Sequence, residues 1–177
     1  MFGEEKMKAL KRTHLIILAL CLLTLTVGLV WFIAKYSSLP EMIGIHFGWD
    51  EKTHESIFDV VDKKIFGFYP FVAGFGLIGL LSLCGFFVRR VKQSPKITEK
   101  GNSVIQQFVL FIIDVICIII SIYFTVWSYC VITQRPGAMK MWGTPLALIW
   151  LPLLLLFPIT FVVLRIVFSK KRAQKAK

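Results

Sequence analysis

The chain has 177 residues, of which 56% are hydrophobic and 18% charged, with a formal net charge of +11. Long apolar runs use most of that length, so a sizeable soluble domain is excluded and one membrane domain is expected. The basic excess sits in short segments between the runs without any base- or phosphate-reading motif, which argues against nucleic acid as a partner.

The elements follow in chain order. Residues 1–14 are a basic N-terminal segment carrying Lys6, Lys8, Lys11 and Arg12. Residues 15–33 form the first of four apolar stretches. Each comes close to or exceeds the ~20 residues a helix needs to cross a bilayer core. The first stretch follows a basic segment, as a signal peptide does. Ala34-Lys35-Tyr36-Ser37 does not read as an Ala-x-Ala cleavage site, so the stretch reads as a retained helix. Residues 34–64 are the one substantial extramembrane segment. It opens with Tyr36-Ser37-Ser38-Leu39-Pro40, which is extended or turn-like. Its middle, residues 43–49, alternates enough for a short strand. Its end, residues 53–64, reads as a short amphipathic helix lying on the outer membrane face.

Residues 65–88 are the second apolar stretch, in which Gly67, Ala73, Gly74, Gly76, Gly79, Ser82 and Gly85 let neighbouring backbones approach. A basic loop, residues 89–107, carries Arg89, Arg90, Lys92, Lys96 and Lys100. Residues 108–132 and 144–168 supply the remaining two stretches, joined across the turn signal Arg135-Pro136-Gly137. Pro145 suits a first helical turn, whereas Pro152 and Pro158 should kink the last helix. The basic tail, residues 169–177, is expected to be disordered.

The fold expected is all-α: a polytopic membrane protein with four transmembrane helices. Residues 15–88 form a two-helix unit with a structured outer loop, and residues 108–168 form a second helix pair. Basic residues concentrate in the N-terminal segment, the middle loop and the tail. The first loop holds Glu41, Asp50, Glu51, Glu55, Asp59 and Asp62. The positive-inside bias therefore places both termini in the cytoplasm. Cys21, Cys84, Cys117 and Cys130 lie within or near the ends of apolar stretches without metal-type spacing, and read as small packing residues.

Asp114 is the polar residue that stands out within a span. A carboxylate there costs about 2.5–3.5 kcal/mol on translocon scales and should face the bundle interior. Counting from the turn near Ala138 brings Arg165 to a similar depth, so an Asp114–Arg165 pair is expected. The alternative is that Arg165 snorkels to the headgroups while Asp114 is protonated or hydrated. Gln107, Asp114, Ser121 and Ser128 recur every seventh residue and share one side of the helix. That side is either a polar track or, the favoured reading, a packing face using small polar residues as interhelical glue. Tyr69, Trp127, Tyr129, Trp142 and Trp49 fit interfacial belts.

In the outer loop, His46 has Asp50, His54 and Glu55 near it in sequence. Imidazole binds metals and titrates near neutral pH. No H-E-x-x-H or comparable spacing is present, so neither a catalytic zinc site nor a cofactor is expected; His46 is read chiefly as a shape-fixing residue, the alternative being weak binding of a divalent cation through His46 and the acids. No catalytic triad order, phosphate loop or nucleotide fingerprint occurs, so an enzyme is not expected.

Leu39-Pro40-Glu41-Met42-Ile43-Gly44-Ile45-His46-Phe47 resembles the motif L-P-x-x-I-P-x-H-F. That motif marks a bacterial membrane domain of unknown function, which also forms the N-terminal part of immunity proteins against the sporulation-delaying-protein toxin. The resemblance covers residues 15–88. Leu39, Pro40, Ile43, His46 and Phe47 match in order. Gly44 stands where the family has its second proline, and Gly48, Glu51 and His54 stand at its N-x-x-G-x-x-D positions. The resemblance implies a multi-pass bacterial cell-membrane protein of an immunity or regulatory kind, partnered by the bilayer and by a secreted peptide or membrane protein. The alternatives are an accessory subunit of a membrane transport complex and, more remotely, a small transporter or membrane enzyme using Asp114 and His46.

Overall fold

The computed structural model describes residues 2–49, 56–90, 94–135 and 144–169. A long helix α1 (Phe2–Lys35) runs into a single 3-10 turn (Tyr36–Ser38). There follow strands β1 (Met42–Trp49) and β2 (Ser56–Asp62), a one-turn helix α2 (Lys63–Phe66), and helices α3 (Tyr69–Arg90), α4 (Glu99–Thr133) and α5 (Thr144–Val167). Three segments, Arg12–Ser38, Lys63–Arg90 and Glu99–Thr133, are helical, long and apolar enough to cross a membrane. The helices extend past the apolar stretches that signal them. α1 takes in the basic N-terminal segment, and α4 begins nine residues before Phe108.

Local chemistry sets the ends. Thr98 caps α4 by accepting a hydrogen bond from the Gly101 N–H at 3.1 Å, and Glu99 adds a negative charge to the first turn. The far end of α4 stops at Gln134, the one described non-glycine residue with a positive φ, 53°. α3 carries Pro70 in its first turn, where no helical partner for its nitrogen is missed, and Arg89 and Arg90 in its last. Asp62 caps α2 by accepting from the Lys64 N–H at 2.7 Å.

α4 is the centre of the bundle: half of its apolar window is buried, against 22% in each of the other two. α1 and α3 pack on it and on one another. Leu25, Phe32, Ile78, Phe71, Phe124 and Val131 make the shared core. The opposite faces of α1 and α3, including Leu20, Val27, Leu80 and Leu83, are exposed, as lipid-facing surfaces must be. Between apolar helices in lipid the attraction is contact rather than hydrophobic, so close approach matters. Gly74 provides it: a Cβ there would lie 3.1 Å from Leu25 and 3.2 Å from the Phe124 ring. At Gly76 and Gly79 an added Cβ would meet nothing within 4 Å.

The segment between α1 and α3 departs from the expected amphipathic helix. Residues 56–62 form a strand that pairs antiparallel with β1, Met42 opposite Asp62 and Trp49 opposite Ser56, with a bulge between Gly44 and His46. The strand at 43–49 is as expected. The reason for the difference lies in Ile57, Phe58, Val60 and Val61, whose β-branched and aromatic character suits a strand once a partner is adjacent. Among the described residues from 56 onward in that segment, helix begins at Lys63, in the single turn Lys63–Phe66. The molecule is thus a helical bundle bearing a β-hairpin rather than all-α.

α5 lies against α4, and its register is fixed at the loop end. The Thr98 N–H donates to the Phe168 carbonyl at 3.1 Å, Ile97 bridges Ser169, and Gly101 leaves no room for a Cβ beside Phe168. The turn residues Pro136 and Gly137, Trp142, and tail residues 170–177 lie outside the described residues.

Candidate functional site

Among the described residues, polar side chains gather at a seam between α1 and α4 and at the seat of the hairpin at one end of the bundle.

The seam has three layers. His14 Nδ1 pairs with Asp114 Oδ1, with 2% and 13% of the two side chains exposed. Seven residues on, the Ser121 hydroxyl donates to the Cys21 carbonyl at 3.1 Å and lies 3.1 Å from Thr24 Oγ1. Seven further, Gly28 faces Ser128, whose Cβ would be 4.0 Å from a Cβ on the glycine. The partners in each layer differ by 100 in number, so α1 and α4 run parallel with matched seven-residue stripes. A strict seven-residue repeat keeps such a seam facing its partner along the helices. Ser128 and Thr125 close their hydroxyls on carbonyls of their own helix, Phe124 at 2.6 Å and Ser121 at 2.7 Å. The stripe of Asp114, Ser121 and Ser128 therefore faces α1, with Ser121 and Ser128 buried between the helices. Gln107 bonds Ser103 on its own helix at 3.2 Å.

α3 completes the surroundings of His14. Gly85 is buried, and a Cβ there would stand 3.2 Å from His14 Nε2 and 3.4 Å from Cε1. The imidazole occupies the space this glycine vacates. Nε2 is buried without a hydrogen-bond partner among the described residues. One ring nitrogen thus meets a carboxylate and the other an apolar wall.

The expected Asp114–Arg165 pair does not form. The Thr98–Phe168 bond sets Arg165 opposite the first turn of α4, about 20 Å along the axis from Asp114 at 1.5 Å per residue. The sequence count assumed a symmetric turn near Ala138, whereas α4 has 35 residues and α5 has 24. Arg165 instead lies over the Phe161 ring, 5.8 Å from its centroid, and is exposed.

The hairpin's seat joins the loop to the bundle. Lys63 is buried, and its ammonium donates to the Leu39 carbonyl at 2.6 Å and the Tyr36 carbonyl at 3.4 Å. It also sits 5.2 Å from the Tyr36 ring centroid and 3.8 Å from a Glu41 carboxylate oxygen. A cation here complements the carbonyl end of α1 and its 3-10 turn. Leu39 and Ile43 are buried in the core, whereas Pro40 is exposed. Gln134 reaches from α4 to β1: its side-chain carbonyl accepts from the Gly44 N–H at 2.9 Å, and its amide donates to Val131 O at 2.5 Å. Gly67 admits the close passage of Phe32, which is 2.8 Å from where a Cβ would be. Around Phe32, the rings of Tyr36, Phe68 and Phe71 stand 5.0–5.7 Å away. Trp127 meets Tyr69 at 5.6 Å and Tyr129 meets Trp31 at 5.9 Å.

His46 lies on β1 directly after the bulge, opposite Asp59, and Phe47 is opposite Phe58. The candidate metal donors Asp50, His54 and Glu55, and the side chains of His46 and Phe47, lie outside the described residues. Among the described residues no group of three or more His, Cys, Asp and Glu could hold a metal ion.

Sequence reasoning missed His14, Lys63 and Gln134. A signal existed for the first: His14, Cys21 and Gly28 repeat the seven-residue spacing of Asp114, Ser121 and Ser128 on a second helix. For Lys63 and Gln134 the signal is tertiary, since their partners are main-chain groups of distant segments. No protein-family model matches the chain, and no curated protein or solved structure shows a significant similarity to it.

Proposed function

We propose that this chain is a non-enzymatic membrane protein of an immunity or regulatory type, whose outer hairpin recognises an extended segment of a secreted peptide or of a membrane partner. In this reading α5 is the fourth span, both termini are cytoplasmic, and the host is a bacterial cell membrane. The fourth span is supported by the 24-residue apolar helix Thr144–Val167. The termini follow from the placement of basic residues in alternate loops.

The observation that carries the reading is the hairpin's mounting. Gln134 bonds the Gly44 N–H, so that group points away from β2. Gly44 is opposite Val60, which makes this a non-hydrogen-bonded pair and turns the Val60 N–H and C=O toward the far edge of β2. No further strand pairs with β2 among the described residues. An unpaired edge of this kind adds an extended peptide by main-chain hydrogen bonds. Val60 is 49% exposed and Met42 54%, giving apolar contacts beside the edge. Lys63, Gln134 and buried Ile43 fix the hairpin to the helices, so little ordering is lost on binding.

The test is protection. A strain sensitive to the sporulation-delaying-protein toxin, expressing this chain alone, should survive exposure, and the Val60→Pro chain at equal membrane abundance should not. Survival no better than that of the empty strain removes the immunity form of the reading. The accessory-subunit reading keeps one support, the broad exposed face of α3, and requires that the chain be unstable without a partner.

A further inference from the structure

At the end of the bundle opposite the hairpin, α3, α4 and α5 do not close on one another. They leave a cleft of about 480 Å³. Its walls are Val88 of α3, Ile105 and Val109 of α4, and Phe157 and Phe161 of α5, with Arg165 along one side. The base is sealed by the Ile97–Ser169 bridge and the tight Gly101–Phe168 contact. Asn102 is already engaged, accepting from the Ser94 N–H and donating to the Ser94 carbonyl, both at 3.1 Å. Gln106 donates to the Val88 carbonyl at 2.9 Å. The walls are therefore apolar in effect, and the charge belongs to Arg165.

The polarity is graded along the cleft. Phe157 stacks on Phe108 at 5.9 Å, in the apolar part of α4, while Arg165 lies about two turns further toward the loop end. Arg165 has no carboxylate partner among the described residues, only the Phe161 ring. The nearby loop carries Arg89, Arg90, Lys92, Lys96 and Lys100 against the single acid Glu99. An occupant must be apolar at one end and anionic at the other. The chain's own tail does not qualify, since Lys170, Lys171 and Arg172 would be brought against Arg165.

We propose that this cleft binds an anionic phospholipid, one acyl chain lying between Phe157, Phe161 and Ile105 and the headgroup phosphate resting on Arg165. Planar guanidinium groups bind phosphate through two parallel hydrogen bonds, and anionic lipids are abundant on the cytoplasmic leaflet. The leaflet assignment rests on the topology proposed above, but the binding test does not.

The test uses the full chain purified in a mild maltoside detergent, with phosphatidylglycerol or phosphatidylcholine of identical chains added. Phosphatidylglycerol should raise the thermal midpoint by about 5 °C more than phosphatidylcholine. Arg165→Gln and the cleft-filling Ile105→Trp should each abolish that difference. Arg90→Gln, whose guanidinium lies over Phe86 rather than in the cleft, should keep it. Equal shifts from the two lipids overturn the proposal. So does loss of the difference in Arg90→Gln as large as in Arg165→Gln, because that marks diffuse attraction to basic surface. If Arg165→Gln does not fold, Ile105→Trp alone decides, a retained difference being contrary. A second copy of the chain as the true occupant would show as a dimer that phosphatidylglycerol does not disperse, with no lipid difference. Because micelles have no sides, a reversed topology leaves this outcome unchanged and is detected separately by labelling the termini in intact cells.

Discussion

His14 of α1 and Asp114 of α4, 100 residues apart in the chain, form a buried pair that locks two parallel helices at one level. Asp114 satisfies one ring nitrogen, and Gly85 gives the ring its space. Removing one partner should cost more than removing both. Asp114→Leu leaves the imidazole buried with neither nitrogen bonded, a loss of about 1–3 kcal/mol for an unsatisfied buried polar group. At roughly 2–4 °C per kcal/mol for a chain of this size, the thermal midpoint falls by about 5 °C. The double change His14→Leu with Asp114→Leu should recover more than half of that. Thermal unfolding of the four proteins in detergent checks it as a double-mutant cycle.

The glycines of α3 should separate by position. At Gly85 a methyl would press on His14 Nε2 at 3.2 Å, whereas at Gly79 it would meet nothing within 4 Å. Gly85→Ala should destabilise by about 1–3 kcal/mol through overpacking. Gly79→Ala should be close to neutral. Comparable midpoints for the two variants would mean that His14 does not occupy the space at Gly85.

Gln134 holds a left-handed conformation that glycine adopts at no steric cost. Its side chain justifies the residue by bonding the Gly44 N–H. Gln134→Gly should therefore leave the bundle's midpoint within a few degrees while freeing β1. Limited proteolysis should then cut the hairpin several-fold faster than in the wild type. An unchanged cleavage rate would show that Lys63 and Ile43 suffice to hold it.

With Ser121 buried and bonded across the seam to the Cys21 carbonyl, Ser121→Cys should resist a polar maleimide in intact membranes. Cys84, which is exposed, is first replaced by alanine to remove its background. Rapid labelling of Ser121→Cys would show an aqueous path along α4.

The helices were legible because lipid demands long apolar runs, and the stripe on α4 was legible because seven-residue spacing survives in the sequence. Its partner stripe was hidden among the apolar residues of α1. His14 sits beside Arg12 and reads as part of the basic segment until the 100-residue register is known. Arg165 was misassigned because a depth count depends on the turn, and the Thr98–Phe168 bond shifts α5 by about three turns. Strand β2 was read as a helix because acids alternate with Ile57, Phe58, Val60 and Val61 at spacings that suit both, and only pairing with β1 decides. Lys63 carries no sequence mark at all, being a buried ammonium whose acceptors are carbonyls.

The most direct measurement compares toxin protection by Asp114→Asn and Val60→Pro chains, each normalised to folded protein in the membrane. With recognition at the hairpin and a structural role for the seam, Asp114→Asn protects in proportion to its abundance, and Val60→Pro at full abundance does not protect. The contrary result is an Asp114→Asn chain that is folded and abundant yet inactive beside a fully protective Val60→Pro chain. That would move the function from the outer hairpin into the membrane, to Asp114 itself.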